Sequence, residues 1–262
     1  ILSEINCHKI EWSLPKKSRL SIVISTKDKY FLLKKCIDSI FDLTEIKNHQ
    51  IIIVDNNSED IDTLKYLNKL NSEPSTFDIS VIPFKEKFNF SKINNLACQK
   101  SYGDSILLLN NDVEFKSKSW DIELLSNSLR KGIGCVGIKL FYPNNYIQHA
   151  GVVLGLSDFA GYSHKDYKKN ENGYECRIQI SQEYLSLTGA CLALSKQNWE
   201  RLNGLNSKNL QINYNDLDLC LRCYELGLRN IYNPFVEAIH HESSTRGNLK
   251  SYVLIPDGYV AQ

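Results

Sequence analysis

Short apolar runs alternate with helix-patterned segments through the first 110 residues, and this alternation is what most constrains the fold. The apolar runs are residues 20–24, 51–54, 79–82 and 106–109. Apolar residues recur at helical spacing between them, at 30–41, 61–70 and 91–102. Such repeats are typical of βαβ units, and continuous apolar strands are typical of a sheet covered on both faces. The sequence therefore predicts a mixed, mainly parallel sheet flanked by helices.

The pattern changes after residue 113, where helices and strands no longer alternate regularly. We predict helices at 120–130, 196–201 and 216–226, strands at 135–140, 147–154, 186–194 and 236–239, and a long polar loop at 157–173. We expect a lead-in at 1–17 and one domain at 18–262, with a nucleotide-binding half at 18–115 and an acceptor half at 116–262. The chain begins at Ile1 and contains no Met, so we interpret it as a piece of a longer protein.

Charge and apolar content exclude two classes of protein. Lys and Arg number 31 against 30 Asp and Glu, so the chain lacks the basic footprint of a nucleic-acid-binding protein. No apolar run approaches the length of a transmembrane segment.

The eight cysteines are spread through a chain far larger than a disulfide-stapled mini-domain. Cys220 and Cys223 form a CxxC within a helical pattern, and no second CxxC completes a zinc site. A structural role as small buried side chains is favoured, with a redox or metal role as the alternative. We therefore expect a reducing, cytoplasmic location.

Acidic residues follow three of the predicted strands, in the segments SIVISTKD, IIIVDNNSED and ILLLNNDVEF. Ligands of open α/β sheets bind beyond the carboxyl ends of the strands, so Asp28, Asp55 and Asp112 could face one crevice. Helix capping and turn formation are the alternative for each acid alone, and three in succession favour a site.

Several familiar nucleotide and hydrolase motifs are missing from the sequence. It contains no GxGxxG in the first βα turn, no P-loop and no GxSxG elbow. A phosphate-bearing ligand would then need a metal rather than a glycine cradle, and Asp112 offers a carboxylate for it.

An ordered set of motifs over about residues 18–247 resembles glycosyltransferase family 2, the inverting enzymes with the Rossmann-like GT-A fold. The set comprises SIVISTKD, IIIVDNNSED, FNFSKINNLA, ILLLNNDVEF, LTGACLALS, NYNDLDLCLR and IHHESSTRG. YIQHAGVVLG, followed by YNDLDLCLR, is similar to the bacterial subgroup that builds rhamnose-rich and other cell-surface polysaccharides. Gln148 and His149 of that segment mark the subgroup, without an assigned role.

The resemblance implies a divalent metal site that neutralises a departing diphosphate. It places the family's DxD motif on Asn110, Asn111 and Asp112, of which only Asp112 is acidic, so the site depends more on substrate phosphates. The first His of the HH pair, His240, is the implied second ligand, and its imidazole favours Mn²⁺ over Mg²⁺. His241 is left with a structural or acceptor-binding role.

The resemblance also implies a catalytic base at Asp216, with Asp218 in support. Here Asn215 replaces the usual Glu of the family's ED motif. A capping box, with Asn215 as the N-cap and Asp218 three residues on, is the structural alternative for Asp218. The helix dipole favours the ionised form of Asp216, as a base requires.

The remaining implied contacts belong to the donor. Thr26 and Asn95 are equally compatible with cap or turn roles, Gly189 and Ala190 with close strand packing, and the loop 243–247 with either an exposed segment or a lid over the diphosphate. The predicted donor-binding residues are Thr26, Asp28, Asp55, Asn57, Asn95, Asn111, Gly189, Ala190 and Arg246.

These expectations describe an inverting, manganese-dependent hexosyl- or deoxyhexosyltransferase of bacterial cell-wall polysaccharide synthesis. The donor would be a UDP- or dTDP-sugar, and the acceptor a glycan or a lipid-linked glycan. We expect a cytoplasmic protein, with association at the inner membrane face through regions absent from this chain. The alternative is a non-catalytic sugar-nucleotide or glycan-binding module, motivated by Asn110 and Asn215 in place of acids.

Overall fold

The computed structural model describes residues 6–156 and 159–241, so Arg246 and the predicted lid at 243–247 lie outside the described residues. The strands are β1 (Leu20–Thr26), β2 (Gln50–Asp55), β3 (Asp78–Pro83), β4 (Ser105–Asn110), β5 (Val113–Phe115), β6 (Ile133–Phe141), β7 (Ile147–His149), β8 (Val152–Leu154), β9 (Ala160–Tyr162), β10 (Gln182–Tyr184), β11 (Cys191–Ser195) and β12 (Arg229–His240). The helices are α1 (Tyr30–Leu43), α2 (Ile61–Ser72), α3 (Phe90–Cys98), α4 (Trp120–Ser128), α5 (Lys196–Arg201) and α6 (Asn215–Glu225).

Ten of the described strands form one mixed sheet, and its main path runs β10-β12-β6-β11-β4-β1-β2-β3. The first-half strands pair in parallel, as the apolar runs predict. Antiparallel β11 then joins β4 to β6 and carries the sheet into the second half of the chain. The predicted mixed sheet flanked by helices is therefore confirmed. The division into two functional halves stays a prediction.

The C-terminal end of β12 lies beside the turn that follows β4. Antiparallel pairing of β12 with β5 sets His240 opposite Val113 and Ala238 opposite Phe115. The backbone N–H of His241 donates to the carbonyl of Asp112 at 2.9 Å. The two halves of the chain therefore meet at the carboxyl end of β4.

Local sequence sets where several helices begin. Asp60, Asn89 and Ser195 cap α2, α3 and α5, each accepting a hydrogen bond from the backbone N–H three residues on. The predicted cap of α6 is wrong. Tyr214 occupies the N-cap position with a left-handed φ of 60°, while the side chain of Asn215 donates to the carbonyl of Ile212 at 2.7 Å.

Three other local predictions are also wrong. The segment 186–190, expected as strand, is irregular, and β11 begins only at Cys191. The strand predicted at 147–154 breaks into β7 and β8 at Gly151, whose φ of 107° favours glycine. The expected loop at 157–173 contains β9, which pairs with β8 in a separate two-stranded sheet.

The described part of the lead-in, residues 6–17, lies against α4. Lys9 forms an ion pair with Glu123, and the guanidinium of Arg130 stacks over Trp12 with its Cζ 3.9 Å from the ring centroid. Leu14 packs on the core beneath. The segment therefore makes specific contacts with the domain, although its sequence has little periodicity.

All eight cysteines are free thiols. Cys135 and Cys223 lie with their sulfur atoms 3.8 Å apart in the core. Within 6–156 and 159–241, no helix combines the length and apolar character that crossing a membrane requires. The reducing location stays a prediction.

A buried polar pair ties α4 to the start of the sheet. His49 and Asp121 have fully buried side chains, and His49 Nε2 donates to Asp121 Oδ2 at 3.1 Å. His49 Nδ1 accepts from the backbone N–H of Leu20, and Asp121 accepts from those of Glu45 and Ile46. Burial raises the pKa of Asp121, but the hydrogen bonds from His49, Ile46 and Glu45 outweigh burial and hold that pKa below its ordinary value.

Replacing the carboxylate of Asp121 tests how much this pair stabilises the fold. Asp121→Asn leaves His49 and the two backbone donors incompletely paired, so we expect the free energy of unfolding at pH 7 to fall by about 1–3 kcal/mol. A lowered pKa in the folded state stabilises the wild type above about pH 4, and that contribution is lost as the pH falls through the folded pKa. The difference in the free energy of unfolding between wild type and variant should therefore be smaller at pH 3.5 than at pH 7.

Urea unfolding at pH 7 and pH 3.5 measures both effects. Asp42→Asn, which changes an exposed carboxylate near the end of α1, is the matched control and should behave as wild type. A deficit of the same size at both pH values would contradict the role given to the Asp121 charge.

Candidate active site

The two predicted metal ligands meet beside the turn between β4 and β5. Asp112 lies in this turn and His240 ends β12, and both are buried, with 6% and 8% of their surface exposed. Asp112 Oδ1 lies 3.1 Å from His240 Nε2. Two residues 128 positions apart in sequence thus face each other because β12 pairs with β5.

The contact between these atoms has the distance of an ion pair but not the geometry of a hydrogen bond. Among the described residues, Asp112 Oδ1 is buried and has no hydrogen-bond partner. Asn110 Nδ2 lies 3.3 Å from the same Nε2 atom and can donate to it. With Asn110 as the donor, Nε2 carries no proton, and its lone pair faces a carboxylate oxygen that has no hydrogen-bond partner among the described residues.

This pair fits a divalent cation. A buried carboxylate oxygen without a donor is costly, and a cation between Oδ1 and Nε2 would satisfy both atoms. The described residues contain no group of three or more His, Cys, Asp or Glu side chains that could hold a metal. Asp112 and His240 would thus be the two protein ligands of such an ion, and a donor diphosphate and water would supply the rest.

The far side of the His240 ring contacts Gln148 of β7. Gln148 is almost fully buried, and its Oε1 lies 2.8 Å from His240 Nδ1. A carbonyl oxygen accepts only, so Nδ1 carries the proton and Nε2 keeps its lone pair for Asn110 or a metal.

Backbone N–H groups hold the carboxylate of Asp216, the predicted base. The backbone N–H of Gly189 donates to Asp216 Oδ2 at 2.7 Å, and the N–H of Leu217 donates to Oδ1 at 2.9 Å. A Cβ at Gly189 would stand 3.2 Å from the Cβ of Asp216, so glycine permits this close approach. The carbonyl of Ala190 accepts from the backbone N–H of Asn110 at 2.9 Å. Gly189 and Ala190 therefore link the base to the β4 end.

His149 supports the same loop. Its Nδ1 donates to the carbonyl of Ile138 at 3.0 Å, and its Nε2 accepts from the backbone N–H of Thr188 at 3.3 Å. Burial lowers the pKa of His149 to about 4. The ring is therefore neutral near pH 7, as both hydrogen bonds require.

Asp218 and Asn95 are engaged in anchoring contacts. Asp218 forms an ion pair with Arg222 at 2.7 Å, and Arg222 also donates to the carbonyls of Leu202 and Gly204. The amide of Asn95 exchanges two hydrogen bonds with the backbone of Leu205, at 2.8 and 2.9 Å. These contacts hold the segment after α5, and the catalytic and donor roles of the two residues stay predictions.

Two of the predicted donor-binding residues, Thr26 at the end of β1 and Asn111 after β4, contact each other directly. Asn111 Nδ2 donates to Thr26 Oγ1 at 2.9 Å. The carbonyl of Thr26 accepts from the backbone N–H of Asn56 at 2.8 Å. Asn56 is buried, and its Oδ1 has no hydrogen-bond partner among the described residues.

The acids at the ends of β1 and β2 organise one loop. Asp28 Oδ1 accepts from the backbone N–H groups of Glu59 and Asp60, at 2.7 and 2.9 Å. Asp55 Oδ1 accepts from the backbone N–H of Ser58 at 3.0 Å. Asn57, with a left-handed φ of 59°, is exposed within this loop. The turn-forming alternative thus describes these contacts, and donor binding by the three residues stays a prediction.

Sequence reasoning missed Asn56 and assigned no role to Gln148 and His149. Asn56 lies between two predicted residues in IIIVDNNSED, and only its burial without a partner distinguishes it. Gln148 and His149 were visible as two adjacent polar residues in an apolar strand. Their partners lie 92 and 39 residues away, so no local pattern could assign their roles.

Two curated relatives cover most of this chain. A protein of Sinorhizobium fredii named y4gI, described as uncharacterized, is 38% identical over 237 residues, which are 90% of this chain and 26% of that protein. The O-antigen biosynthesis protein RfbC of Myxococcus xanthus is 31% identical over 242 residues, which are 91% of this chain and 18% of RfbC. The chain thus spans about a quarter or less of the length of these relatives.

Solved structures share the fold at low identity. GalNAc-T7 with UDP, GalNAc and Mn²⁺ matches with a TM-score of 0.67 and 13% identity, over 85% of this chain and 43% of that chain. The mannosyltransferase PcManGT of Pyrobaculum calidifontis, in complex with GDP-Man and Mn²⁺, matches with a TM-score of 0.63 and 14% identity, over 90% of this chain and 62% of that chain. These matches confirm the GT-A fold.

A model of glycosyl transferase family 2 matches residues 21–178. The matched region is more than half of the chain and includes the ends of β1, β2 and β4, with Asp112 and Gln148. The chain belongs to glycosyl transferase family 2.

Proposed function

We propose that this chain is the catalytic domain of an inverting, metal-dependent glycosyltransferase. It would transfer a hexose or deoxyhexose from a nucleoside-diphosphate sugar to a hydroxyl group of a bacterial cell-surface glycan. The observation that carries the proposal is the short loop at 188–190, which holds the carboxylate of Asp216 at one end and the β4 end at the other. The loop thus joins the proposed base to the end of β4, where Asp112 and His240 lie, and this transfer needs both a base and a bound metal.

The comparisons support the reaction class. RfbC, a relative of similar sequence, is named for O-antigen biosynthesis. Two solved structures of the same fold hold UDP or GDP-Man together with Mn²⁺. We therefore infer a nucleotide-sugar donor, for which a UDP- or dTDP-sugar is the first choice, and a polysaccharide acceptor of the bacterial surface.

The chemistry follows from the placement of Asp216. The acceptor hydroxyl gives its proton to the carboxylate of Asp216, and its oxygen bonds to the anomeric carbon opposite the leaving group. The anomeric carbon–oxygen bond breaks, and its electron pair leaves with the diphosphate. A metal ion held by Asp112 and His240 would stabilise the charge on those departing oxygens. Direct displacement inverts the anomeric centre without a covalent enzyme intermediate.

The base is tested by Asp216→Asn, which keeps the shape of the side chain and removes most of its basicity. We expect turnover to fall by about 10²- to 10⁴-fold, with donor affinity unchanged. The measurements are nucleotide release during transfer, for turnover, and titration calorimetry, for binding. Glu225→Gln, at the exposed end of the same helix, is the control and should retain turnover.

A panel of UDP-, dTDP- and GDP-sugars, with and without Mn²⁺, first identifies the donor. Near-normal turnover in Asp216→Asn would contradict the assignment of Asp216 as the base. Donor binding by the wild type without turnover, across the donor panel and a broad acceptor panel, would instead favour the non-catalytic binding module.

The metal pair is tested by Asp112→Asn and His240→Gln. Each variant removes one of two protein ligands, so we expect Mn²⁺ affinity in the presence of UDP to fall by at least about 100-fold. The electron paramagnetic resonance signal of free Mn²⁺ measures binding. His241→Gln is the control, because His241 pairs with Glu114 at 3.0 Å rather than with Asp112. Unchanged Mn²⁺ affinity in Asp112→Asn would exclude the proposed site.

Asn56 provides a separate test of the donor crevice. Its Oδ1 has no partner among the described residues, and its backbone N–H bonds Thr26, so we infer that Oδ1 accepts a hydrogen bond from an N–H of the donor nucleotide. Asn56→Leu should weaken UDP or dTDP binding by roughly 10-fold, as loss of one good hydrogen bond does. Removing a buried acceptor that lacks a partner should also leave the free energy of unfolding unchanged or slightly higher.

Calorimetry with the nucleotide and urea unfolding of the free protein separate the two effects. Asn127→Leu, the same change at a buried residue of α4 whose amide bonds Glu123 and Arg130, is the control for nucleotide affinity. Unaltered nucleotide affinity in Asn56→Leu would contradict the assignment.

A further inference from the structure

Strand β7 places two buried polar residues next to each other, and the proposed reaction uses neither directly. Gln148 is 1% exposed and His149 is fully buried. Successive side chains of a strand point to opposite faces, so neighbours can reach different partners. Burying two such groups is costly unless each makes hydrogen bonds.

Gln148 acts on the imidazole of His240. Its Oε1 lies 2.8 Å from Nδ1 and can only accept, which places the ring proton on Nδ1. Asn110 Nδ2, 3.3 Å from Nε2, is consistent with a lone pair on that nitrogen. The lone pair then faces Asp112 Oδ1 at 3.1 Å, as a metal ligand must.

His149 acts on the loop that holds Asp216. The Ile138 carbonyl fixes the proton of His149 on Nδ1, so Nε2 accepts from the backbone N–H of Thr188. The next N–H along the loop, that of Gly189, donates to Asp216 Oδ2 at 2.7 Å. A single ring therefore sets the position of the peptide that directs the base.

We propose that Gln148 and His149 are positioning residues: β7 sets the tautomer of the metal-binding imidazole with one residue and the direction of the base carboxylate with the next. This inference rests on the proposed function for what His240 and Asp216 do. The hydrogen bonds of Gln148 and His149 join residues of this chain alone, so they can be tested without turnover.

Gln148→Met removes the acceptor at nearly constant size, and Gln148→Glu restores an acceptor. Long-range ¹H–¹⁵N spectra of the metal-free protein report which nitrogen of His240 carries the proton. We expect the Nδ1–H tautomer in the wild type and in Gln148→Glu, and a gain of the Nε2–H tautomer in Gln148→Met. Mn²⁺ affinity with UDP should fall by about 10- to 100-fold in Gln148→Met, as for other residues that orient a metal ligand.

An Nε2–H tautomer of His240 in the wild type would overturn the role of Gln148. So would a Gln148→Met variant with unchanged tautomer and unchanged Mn²⁺ affinity. The expected tautomer in a wild type that binds no Mn²⁺ would instead overturn the proposed metal site and leave this positioning contact established.

His149→Leu removes both hydrogen bonds of the ring, and His149→Gln keeps an acceptor near Thr188. We expect His149→Leu to shift the amide proton resonance of Gly189 and to lower kcat by about 10-fold, with donor affinity and Mn²⁺ affinity retained. His149→Gln should recover part of both effects. A general loss of packing would lower affinity and kcat together.

The wild-type protein supplies a measurement that does not depend on either variant folding. His149 should show its proton on Nδ1, and the amide of Gly189 should resonate downfield, as a donor to a carboxylate. A His149 proton on Nε2, or an unchanged Gly189 amide resonance in a folded His149→Leu, would overturn the role of His149.

Discussion

Pairing of β12 with β5 is the interaction on which the candidate site depends. It sets His240 opposite Val113 and lets the backbone of His241 bind the carbonyl of Asp112. The first half of the chain supplies the carboxyl ends of β1, β2 and β4, and the second half supplies Asp216, the proposed base, and the imidazole of His240. Without this pairing, the two sets of groups would have no common centre.

The same arrangement carries buried polar atoms that no described residue satisfies. Asp112 Oδ1 and Asn56 Oδ1 are buried without hydrogen-bond partners among the described residues. Each such group costs about 1–3 kcal/mol, so a chain selected for stability alone would not keep them. The buried sheet and the His49–Asp121 pair offset that cost elsewhere in the fold. Two unsatisfied acceptors at one sheet edge indicate a place prepared for a ligand.

Periodicity predicted the parts of the fold that are locally determined. Strands β1 to β4 and helices α1 and α2 lie within two residues of their predicted bounds, because apolar spacing alone distinguishes these elements. The segment 186–190 was predicted as strand because its apolar residues resemble one. Its backbone instead bonds to His149, Asp216 and Asn110, partners that no local pattern reveals.

The site shows the same division between local and distant information. The family motifs predicted that Asp112 and His240 act together, and the structure places them 3.1 Å apart. For Asn215, sequence predicted a cap, but its amide turns back to Ile212 and Tyr214 takes the cap position. Gln148 was singled out only as a mark of the subgroup, without a role, since its partner, His240, lies 92 residues on.

Asn110 bears most directly on whether the site has kept its chemistry. A carboxylate here would add a second negative charge beside Asp112 and could not donate to His240 Nε2. The amide instead occupies the lone pair of Nε2 at 3.3 Å, and a metal would have to displace it. With one carboxylate and one imidazole, the protein alone would offer the proposed metal few ligands, so metal affinity would depend on the donor phosphates. Metal and donor would then strengthen each other's binding reciprocally, and neutral Asn110 would make that coupling stronger rather than mark a lost site.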